Sequence, residues 1–511
     1  MGAIRLSENK ENYTLPHIPL EPAQQAEYLL NKARHAQHDC HNLLVQHAHK
    51  LLHKLHNTKQ YQKTLKRYQK AKNILEHAHN EQQHAYYTQL LKDSKQTLKE
   101  IRQEIGLTEN DFQKWINQHR KEKYAKILNS DAVQKDATNV WQAVAKVLFG
   151  KSKKIHYQKW DDFHALHSKS AKNHVILQKD DNGLPTGIKW NKQIIPFKRE
   201  LNDYERTAFL SEVRYIDIVY EQYSDGWHYY ANIALYGHVP VRADKGKGTL
   251  GLDPGTSTMA FSGKEITEQV LLAPHAEQYD ERIADLSRRI DQSMRTTNPD
   301  YYNSDGTYKK RKKGEKRTWK LSRHCRALKR KRKVLYRKKA AATKQSHSEL
   351  GNRVVSKCSA IKTEPMNYAG LMKKAKASKD DKGKWRKRKR FGKSIGSRAP
   401  SEFLSILAWK CRLLGIPFSE VNSYKVKASQ FDHVSGAYTK VGLSVRWKRV
   451  GHEYVQRDLY SAFLLAHVLD DGETVDVGAC WRDFSDFISG MNEFVVGAIV
   501  NDMPRNSCFG F

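Results

Sequence analysis

The distribution of apolar and helix-breaking residues predicts a long helical segment in the first third of the chain. No proline lies between Pro22 and Pro185, and Gly106 is the only glycine between Pro22 and Gly150. Leucine and alanine recur there at helical spacing among glutamine, lysine and histidine. Because proline and glycine disfavour helix interiors, this pattern predicts an α-helical domain over residues 22–171.

The pattern then changes to short alternating runs, which predict strands. Residues 213-VRYIDIVYEQYSDGWHYYANIALYG-237 form two alternating segments around Ser-Asp-Gly, which is the signature of a β-hairpin. Residues 174–197 hold further short apolar runs separated by Asn-Gly and proline turns. We therefore predict a β-rich, barrel-like module over residues 172–247, which the segment 244-DKGKG-248 links to the rest of the chain.

A carboxylate lies at the end of the next apolar strand. In 248-GTLGLDPGTSTMAFSG-263 a first strand reaches Asp253, a Pro-Gly-Thr turn follows, and a second apolar strand begins. An unpaired charge in a buried strand costs several kcal/mol, so Asp253 requires a partner such as a metal ion.

Two further carboxylates stand at the ends of predicted elements. In 352-NRVVSKCSAIKTEPMNYAGL-371 an apolar strand ends at Glu364, and in 455-VQRDLYSAFLLAHVL-469 Asp458 begins an amphipathic helix. Taken alone, Asp458 would be a helix cap and Glu364 a surface residue. Taken together with Asp253 they predict one site, because three ionised carboxylates side by side require cations. Two Mg²⁺ ions (or Mn²⁺) about 4 Å apart would neutralise them and activate water for phosphodiester hydrolysis.

Composition narrows the class of partner. The 511 residues include 90 Lys and Arg against 55 Asp and Glu, a formal charge of +35, which indicates a nucleic-acid partner. No apolar run approaches the roughly 18 residues that a membrane span requires, and the first residues do not look like a signal peptide. The six cysteines form no C-x-x-C pair, so we expect buried free thiols and a reducing cytoplasm.

The positive charge is concentrated in the second half of the chain. Residues 276–294 and 315–350 are predicted helices, and 18 Lys or Arg but one Glu lie between Lys309 and Lys339. Residues 384-KWRKRKRFGKSIGSRAP-400 form a second basic run. A helix this basic repels itself unless it binds a polyanion. The candidate nucleic-acid-binding residues are Arg311, Lys312, Lys313, Arg317, Lys320, Arg323, Arg326, Lys329, Arg330, Arg332, Lys333, Arg337, Arg386, Arg388 and Arg390.

Three motifs resemble those of one nuclease family. The order Asp–Glu–Asp is that of RuvC-like nucleases rather than integrase-like transposases. GLDPGTST, IKTEPMNYAGL and QRDLYSAFLLA resemble the three RuvC motifs of the transposon-encoded TnpB proteins and of compact type V CRISPR effectors. Residues 403–430 are similar to the family's helix, strand and Ser-Gln stretch, and the resemblance is specific over residues 213–470.

The resemblance implies a multidomain α+β protein with an RNase H-like (RuvC) nuclease domain that carries inserted helices. A helical recognition lobe inserted in a β-barrel wedge domain would precede it. The implied domains are 1–21 for the start of the wedge, 22–171 for the recognition lobe, 172–247 for the wedge barrel, 248–430 for the nuclease domain with a basic insertion at 276–350, 431–452 for a degenerate zinc-ribbon-like target-nucleic-acid segment, 453–475 for the third RuvC motif and 476–511 for a C-terminal tail.

The chain departs from the family pattern at the zinc ribbon. The family usually shows Ser-Gln-x-Cys-x-x-Cys-Gly, whereas 429-SQFDHVSG-436 has Asp432 and Ser435 at the cysteine positions. We therefore expect no structural zinc and a segment 431–452 that is held by packing.

The implied function is RNA-guided DNA cleavage at a single RuvC site by metal-dependent hydrolysis. A guide RNA would pair with target double-stranded DNA, and the protein would recognise a short target-adjacent motif. We expect a monomer in the ribonucleoprotein, with a dimer as the alternative, in the prokaryotic cytoplasm. The rival functions are a nuclease-idle RNA-guided repressor and a guide-independent junction nuclease. The intact triad argues against the first, and the large N-terminal modules argue against the second.

Overall fold

The computed structural model describes residues 4–75, 81–223, 225–311, 314–373, 391–442, 445–500 and 509. The chain forms two compact units, Lys10–Pro240 and a second that joins Met1–Asn9 to Val241–Phe511. Both mix helices with sheets, so the fold is a multidomain α/β arrangement with several sheets. Among the described residues no helix is long and apolar enough to cross a membrane.

Five helices fill most of the predicted helical segment in the first unit. They are α1 (Gln24–Asn57), α2 (Lys59–Leu75), α3 (Glu81–Glu104), α4 (Glu109–Lys123) and α5 (Ser130–Leu148). Helix α4 begins at a cap, because the Thr108 side chain accepts a hydrogen bond from the backbone N–H of Asp111. Beyond residue 148 the chain holds a short 3-10 helix, Trp160–Asp162, rather than further α-helix.

The strands of this unit form two sheets. They are β1 (Arg5–Leu20), β2 (Ala165–Leu166), β3 (Val175–Lys179), β4 (Pro185–Trp190), β5 (Gln193–Pro196), β6 (Glu212–Gln222) and β7 (Trp227–Val241), with α6 (Asp203–Ala208) between β5 and β6. One sheet has the order β1-β7-β6-β2 and the other is the meander β3-β4-β5. The predicted hairpin is confirmed as β6 and β7, which pair antiparallel. A closed barrel and the wedge assignment stay predictions.

A five-stranded sheet forms the centre of the second unit. Its strands are β8 (Thr249–Pro254), β9 (Thr258–Gly263), β10 (Ile266–Leu271), β11 (Ala360–Thr363) and β12 (Phe418–Glu420). Their order is β10-β9-β8-β11-β12, and a separate hairpin consists of β13 (Trp447–Val450) and β14 (Glu453–Gln456). Strands β8, β9 and β10 pair antiparallel, whereas β11 runs parallel to both β8 and β12.

Helices cover both faces of this sheet. The helices of the unit are α7 (Asp280–Thr297), α8 (Arg323–Val355), α9 (Tyr368–Met372), α10 (Gly392–Arg398), α11 (Pro400–Leu413), α12 (Ser423–Val426), α13 (Arg457–Ala466) and α14 (Val477–Val500), with 3-10 helices at Pro274–Tyr279 and Pro299–Tyr301. The residues Leu250 and Leu252 of β8 share a core with α8 and α11. A second core joins α13 and α14 to the other side of the sheet.

Gly251 lets α13 approach β8 very closely. A Cβ atom at this position would lie 1.8 Å from the carbonyl oxygen of Ala462 in α13 and 2.5 Å from the backbone nitrogen of Ala466. Only a residue without a side chain fits between these two backbones. The strand that carries Asp253 therefore rests directly against α13, whose second residue is Asp458.

The segment that would be a zinc ribbon is held by a buried aromatic cluster. His433 is buried, and its Nδ1 atom lies 2.7 Å from the Tyr460 hydroxyl oxygen. The ring of Phe484 contacts His433 edge-on at a centroid distance of 4.7 Å. Phe431 and Val450 belong to the same core as α13. Packing therefore connects this segment to the body of the unit.

Candidate active site

Strand β8 directs Asp253 toward the face of the sheet that α13 covers. Side chains alternate along a strand, so Leu250 and Leu252 point into the core shared with α8, while Gly251 and Asp253 point to the other face. Asp253 is partly buried. The sequence predicts a carboxylate at the end of this strand, and Asp253 lies there.

Glu364 follows β11 and comes next to the end of β8. The two strands pair in parallel with Thr363 opposite Leu252, and the Thr363 hydroxyl donates to the Leu252 carbonyl at 3.0 Å. Since the carboxyl ends of parallel strands meet at one edge, Glu364 lies beside Asp253. The backbone N–H of Ala428 donates a hydrogen bond to the Glu364 carboxylate.

Asp458 is the second residue of α13 but not its cap. The cap is Gln456, whose side-chain oxygen accepts from the Leu459 backbone N–H at 2.7 Å. The alternative that Asp458 serves as the N-cap is therefore wrong, because a neighbouring side chain already fills that position. Asp458 instead accepts hydrogen bonds from Gln269 at 3.2 Å, from Arg446 at 3.1 Å and from Arg457 at 3.2 Å.

The charges of the three carboxylates act on one another. Burial raises the pKa of Asp253 well above its usual range, and the negative charges of Asp458 and Glu364 raise it further. The guanidinium groups of Arg457 and Arg446 act in the opposite direction. Burial also raises the pKa of Glu364. The site thus concentrates negative charge, which either a proton or a cation would relieve.

The donor chemistry of the triad suits a hard divalent cation. Carboxylate oxygens are the ligands that Mg²⁺ and Mn²⁺ prefer, and the mutual repulsion at Asp253 is what such an ion would offset. As the side chains stand, however, no group of three or more His, Cys, Asp or Glu residues in the described ranges is arranged to hold a metal. The Asp458 carboxylate is instead paired with Arg446 and Arg457.

Sequence reasoning missed the three side chains that hold Asp458. Arg457 is its neighbour in the chain, so adjacency was an available signal. Arg446 lies across the β13–β14 hairpin, and Gln269 lies on β10, 189 positions away. Gln269 also bonds Gln456, so this amide links the strand to the start of α13. No local sequence pattern predicts hydrogen bonds between residues this far apart in the chain.

The predicted nucleic-acid-binding residues divide into three groups. Exposed ones within the described ranges are Arg311, Lys320, Arg323, Arg326, Arg330 and Lys333, and partly buried ones are Arg317, Lys329, Arg332 and Arg337. In the second group, Arg317 bonds Glu315 and Arg332 donates to Ser287. Lys312, Lys313, Arg386, Arg388 and Arg390 lie outside the described residues. The exposed group forms a basic surface on α8 and the connector that precedes it.

No family model and no curated protein matches the chain. Among solved structures, a cryo-EM structure of a Cas12f1–sgRNA–target DNA complex is similar over 90% of this chain and 98% of its own, at 10% identity and a TM-score of 0.42. A cryo-EM structure of a CRISPR–Cas12f ternary complex covers 89% of this chain and 98% of its own, at 11% identity and a TM-score of 0.27. Both scores lie below 0.5, so the function must be argued from the residues of this chain.

Proposed function

We propose that the protein is an RNA-guided DNA endonuclease that hydrolyses phosphodiester bonds at a single RuvC-type site. The observation that carries the proposal is the convergence of three carboxylates from distant parts of the chain. Asp253 on β8, Glu364 after β11 and Asp458 on α13 lie close enough that two of them raise the pKa of the third. The strand order β10-β9-β8-β11-β12 supports an RNase H-like domain, in which this edge of the sheet is the reaction site.

Asp253, Glu364 and Asp458 would hold the metal ions. When bound, Mg²⁺ or Mn²⁺ supplies an activated water and charge stabilisation at the leaving oxygen. The protein contributes position, because Gly251 fixes the distance between β8 and α13 and the Thr363–Leu252 bond fixes β11 against β8. Gln269 on β10 donates a hydrogen bond that holds the Asp458 carboxylate in place. These contacts orient the three ligands before substrate arrives.

Arg446 and Arg457 balance the charge of the triad in the metal-free protein. Both donate to Asp458, and both lower the pKa of Asp253. A phosphodiester that enters the site carries negative charge, for which a guanidinium is a well-matched partner. We therefore assign to Arg446, whose side chain is more exposed than that of Arg457, the role of a phosphate ligand.

The basic surface of α8 and its connector would bind the guide RNA through phosphates. Exposed arginines and lysines neutralise phosphates without reading sequence, which suits a scaffold of fixed shape. Base pairing by the guide would then select the target duplex, and the protein would read a short flanking motif. The helical segment 22–171, the wedge 172–247 and the ribbon-like segment 431–452 keep their predicted roles in this proposal. A monomer in the prokaryotic cytoplasm remains the expected state.

Cleavage and binding assays on single alanine variants test this function. The RNA that copurifies with the protein is sequenced, and a matching DNA target is offered with Mg²⁺. Asp253→Ala, Glu364→Ala and Asp458→Ala should each cut at least about a thousandfold more slowly while binding RNA and DNA as the wild type does. Asp486→Ala, which removes an exposed carboxylate from α14, is the matched control and should cut normally.

The rival functions predict different results in the same experiment. A guided repressor binds target DNA but does not cut it with Mg²⁺ or Mn²⁺. A junction nuclease cuts without RNA and does not respond to the guide. Wild-type cleavage by Asp253→Ala would refute the proposed mechanism, whatever the other variants do.

A further inference from the structure

A cluster of aromatic rings lies at the surface of the connector between α7 and α8. Tyr302 is buried, whereas Tyr308 and Trp319 keep 59% and 39% of their surface exposed. The connector runs through residues 298–322, so both rings precede the basic helix α8. Two neighbouring exposed rings in a highly charged segment form a surface that a flat apolar partner can cover.

Trp319 meets three tyrosine rings edge to face, whereas the Tyr302 and Tyr308 rings are tilted by 34° with their centroids 4.8 Å apart. Trp319 contacts Tyr301 at 4.9 Å and 71°, Tyr302 at 6.1 Å and 76°, and Tyr308 at 5.8 Å and 88°. None of these three contacts of Trp319 is a parallel stack. The parts of Trp319 and Tyr308 that stay exposed are therefore where a planar group can contact this cluster.

Hydrogen bonds hold this aromatic cluster in place. The Asn298 side chain donates to the Lys320 carbonyl at 2.9 Å and accepts from the Lys320 backbone N–H at 2.8 Å. The Arg317 guanidinium lies over the Tyr301 ring at 5.2 Å and donates to the Lys309 carbonyl at 3.0 Å. The first two bonds join the ends of the connector to each other, and the last one ties its interior. The rings are thus ordered before any ligand binds, which reduces the entropy lost on binding.

Exposed cations surround the aromatic cluster. They are Lys309, Lys310, Arg311, Lys316 and Lys320. Two of the acidic groups in the connector are already engaged, since Glu315 pairs with Arg317 and Asp305 accepts from the Thr307 N–H and hydroxyl. Exposed rings within a positive field are how single-stranded nucleic acid is bound, because bases stack on the rings and phosphates meet the cations.

We propose that Trp319 and Tyr308 form a stacking site for an unpaired base of the guide RNA. This inference rests on the proposed function and extends it from phosphate contacts to base contacts. RNA is favoured as the occupant because the connector leads directly into α8, whose exposed arginines are assigned to RNA phosphates. Proteins recognise RNA largely through unpaired bases that stack on aromatic side chains.

Photocrosslinking tests the site in the full-length wild-type protein. The probe is a short oligouridine RNA that carries one 5-iodouridine, with the same sequence as single-stranded DNA in a second arm. Crosslinked peptides are mapped by mass spectrometry, and we expect the RNA probe to attach at Tyr308 or Trp319. Equal or stronger attachment of the DNA probe at these residues would overturn the assignment to RNA. Attachment of both probes only elsewhere would overturn the site.

Affinity measurements on variants provide the second test. Trp319→Ala should weaken oligouridine binding roughly tenfold or more at high salt, where stacking dominates, and Trp319→Phe should keep most of the affinity. Tyr424→Ala removes a ring that is 87% exposed outside the cluster and should have no effect. Unchanged binding by Trp319→Ala refutes the stacking site while leaving the proposed function intact. Absence of RNA binding by the wild type refutes the proposed function itself.

Discussion

Gly251 sets the distance between β8 and α13, so replacing it with alanine should impair cutting much more than binding. The added Cβ would lie 1.8 Å from the Ala462 oxygen, whereas ordinary contact begins at 3.4 Å. The helix must therefore move by about 1.6 Å or the strand must bend, and overpacking of this kind costs about 1–3 kcal/mol. Asp458 moves with the helix away from Asp253. A displacement near 1 Å at a catalytic group slows a reaction about a hundredfold.

Thermal unfolding and cleavage are measured on the same preparations of Gly251→Ala. We expect a melting temperature lower by several degrees, cleavage slower by about two orders of magnitude, and unchanged RNA affinity, since α8 packs on the opposite face of the sheet. Gly497→Ala in α14 is the matched control, because no atom lies within 4 Å of its added Cβ. It should melt at the same temperature or higher.

Two results would refute this reasoning. If Gly251→Ala melts and cuts like the wild type, the close approach does not position the triad. If RNA affinity falls in parallel with cleavage, the substitution has disturbed the whole unit rather than the site.

Further predictions concern Asp253, the basic surface of α8 and the segment 431–452. Burial and two carboxylates raise the pKa of Asp253, so its charge destabilises the metal-free fold increasingly as the pH rises above about 4, the pKa of this group in the unfolded chain. Asp253→Asn should therefore have a higher melting temperature than the wild type at about pH 8 without Mg²⁺ and the same melting temperature at low pH. A lower melting temperature of the variant at high pH would contradict this. A variant of α8 with four exposed residues replaced by alanine should show a salt dependence of RNA binding, measured by titration as the slope of log affinity against log salt, that is smaller by about 3. The four residues are Arg323, Arg326, Arg330 and Lys333. An unchanged slope would show that they do not contact the RNA. The protein should fold and cut without stoichiometric zinc, and one tightly held zinc per chain, detected by elemental analysis, would contradict the packing account. Tyr460→Phe should lower the free energy of unfolding by about 1–3 kcal/mol in denaturant titrations, because it leaves buried His433 without its hydrogen-bond partner.

The positions of the carboxylates along the elements follow from local sequence patterns. Apolar runs ending in Asp253 and Glu364 mark strand ends, and the apolar face after Asp458 marks a helix start. These signals depend on neighbours in the chain, which is why they can be read directly. Their joint role as metal ligands stays a prediction.

The contacts between distant residues could not be predicted in this way. Helix periodicity places Asp458 in the first turn of α13, yet it does not show that Gln456 caps the helix. The Gln269 bond to Asp458 depends on how β10 stands in the sheet, and the Trp319 cluster depends on a connector without periodicity. Both arise from tertiary packing, for which a single sequence carries no local signal.

The parallel pairing of β8 with β11 also determines when the site can exist during synthesis. Thr363 bonds the Leu252 carbonyl across 111 positions, and Gln269 reaches Asp458 across 189. Contacts of such long range form late, because a large loop must close before any of them is made. A chain that emerges from the ribosome therefore contains Asp253 long before Glu364 and Asp458 have been translated. The nascent protein has no complete triad until α13 has left the ribosome, so a half-made chain lacks the three carboxylates that the proposed cleavage requires.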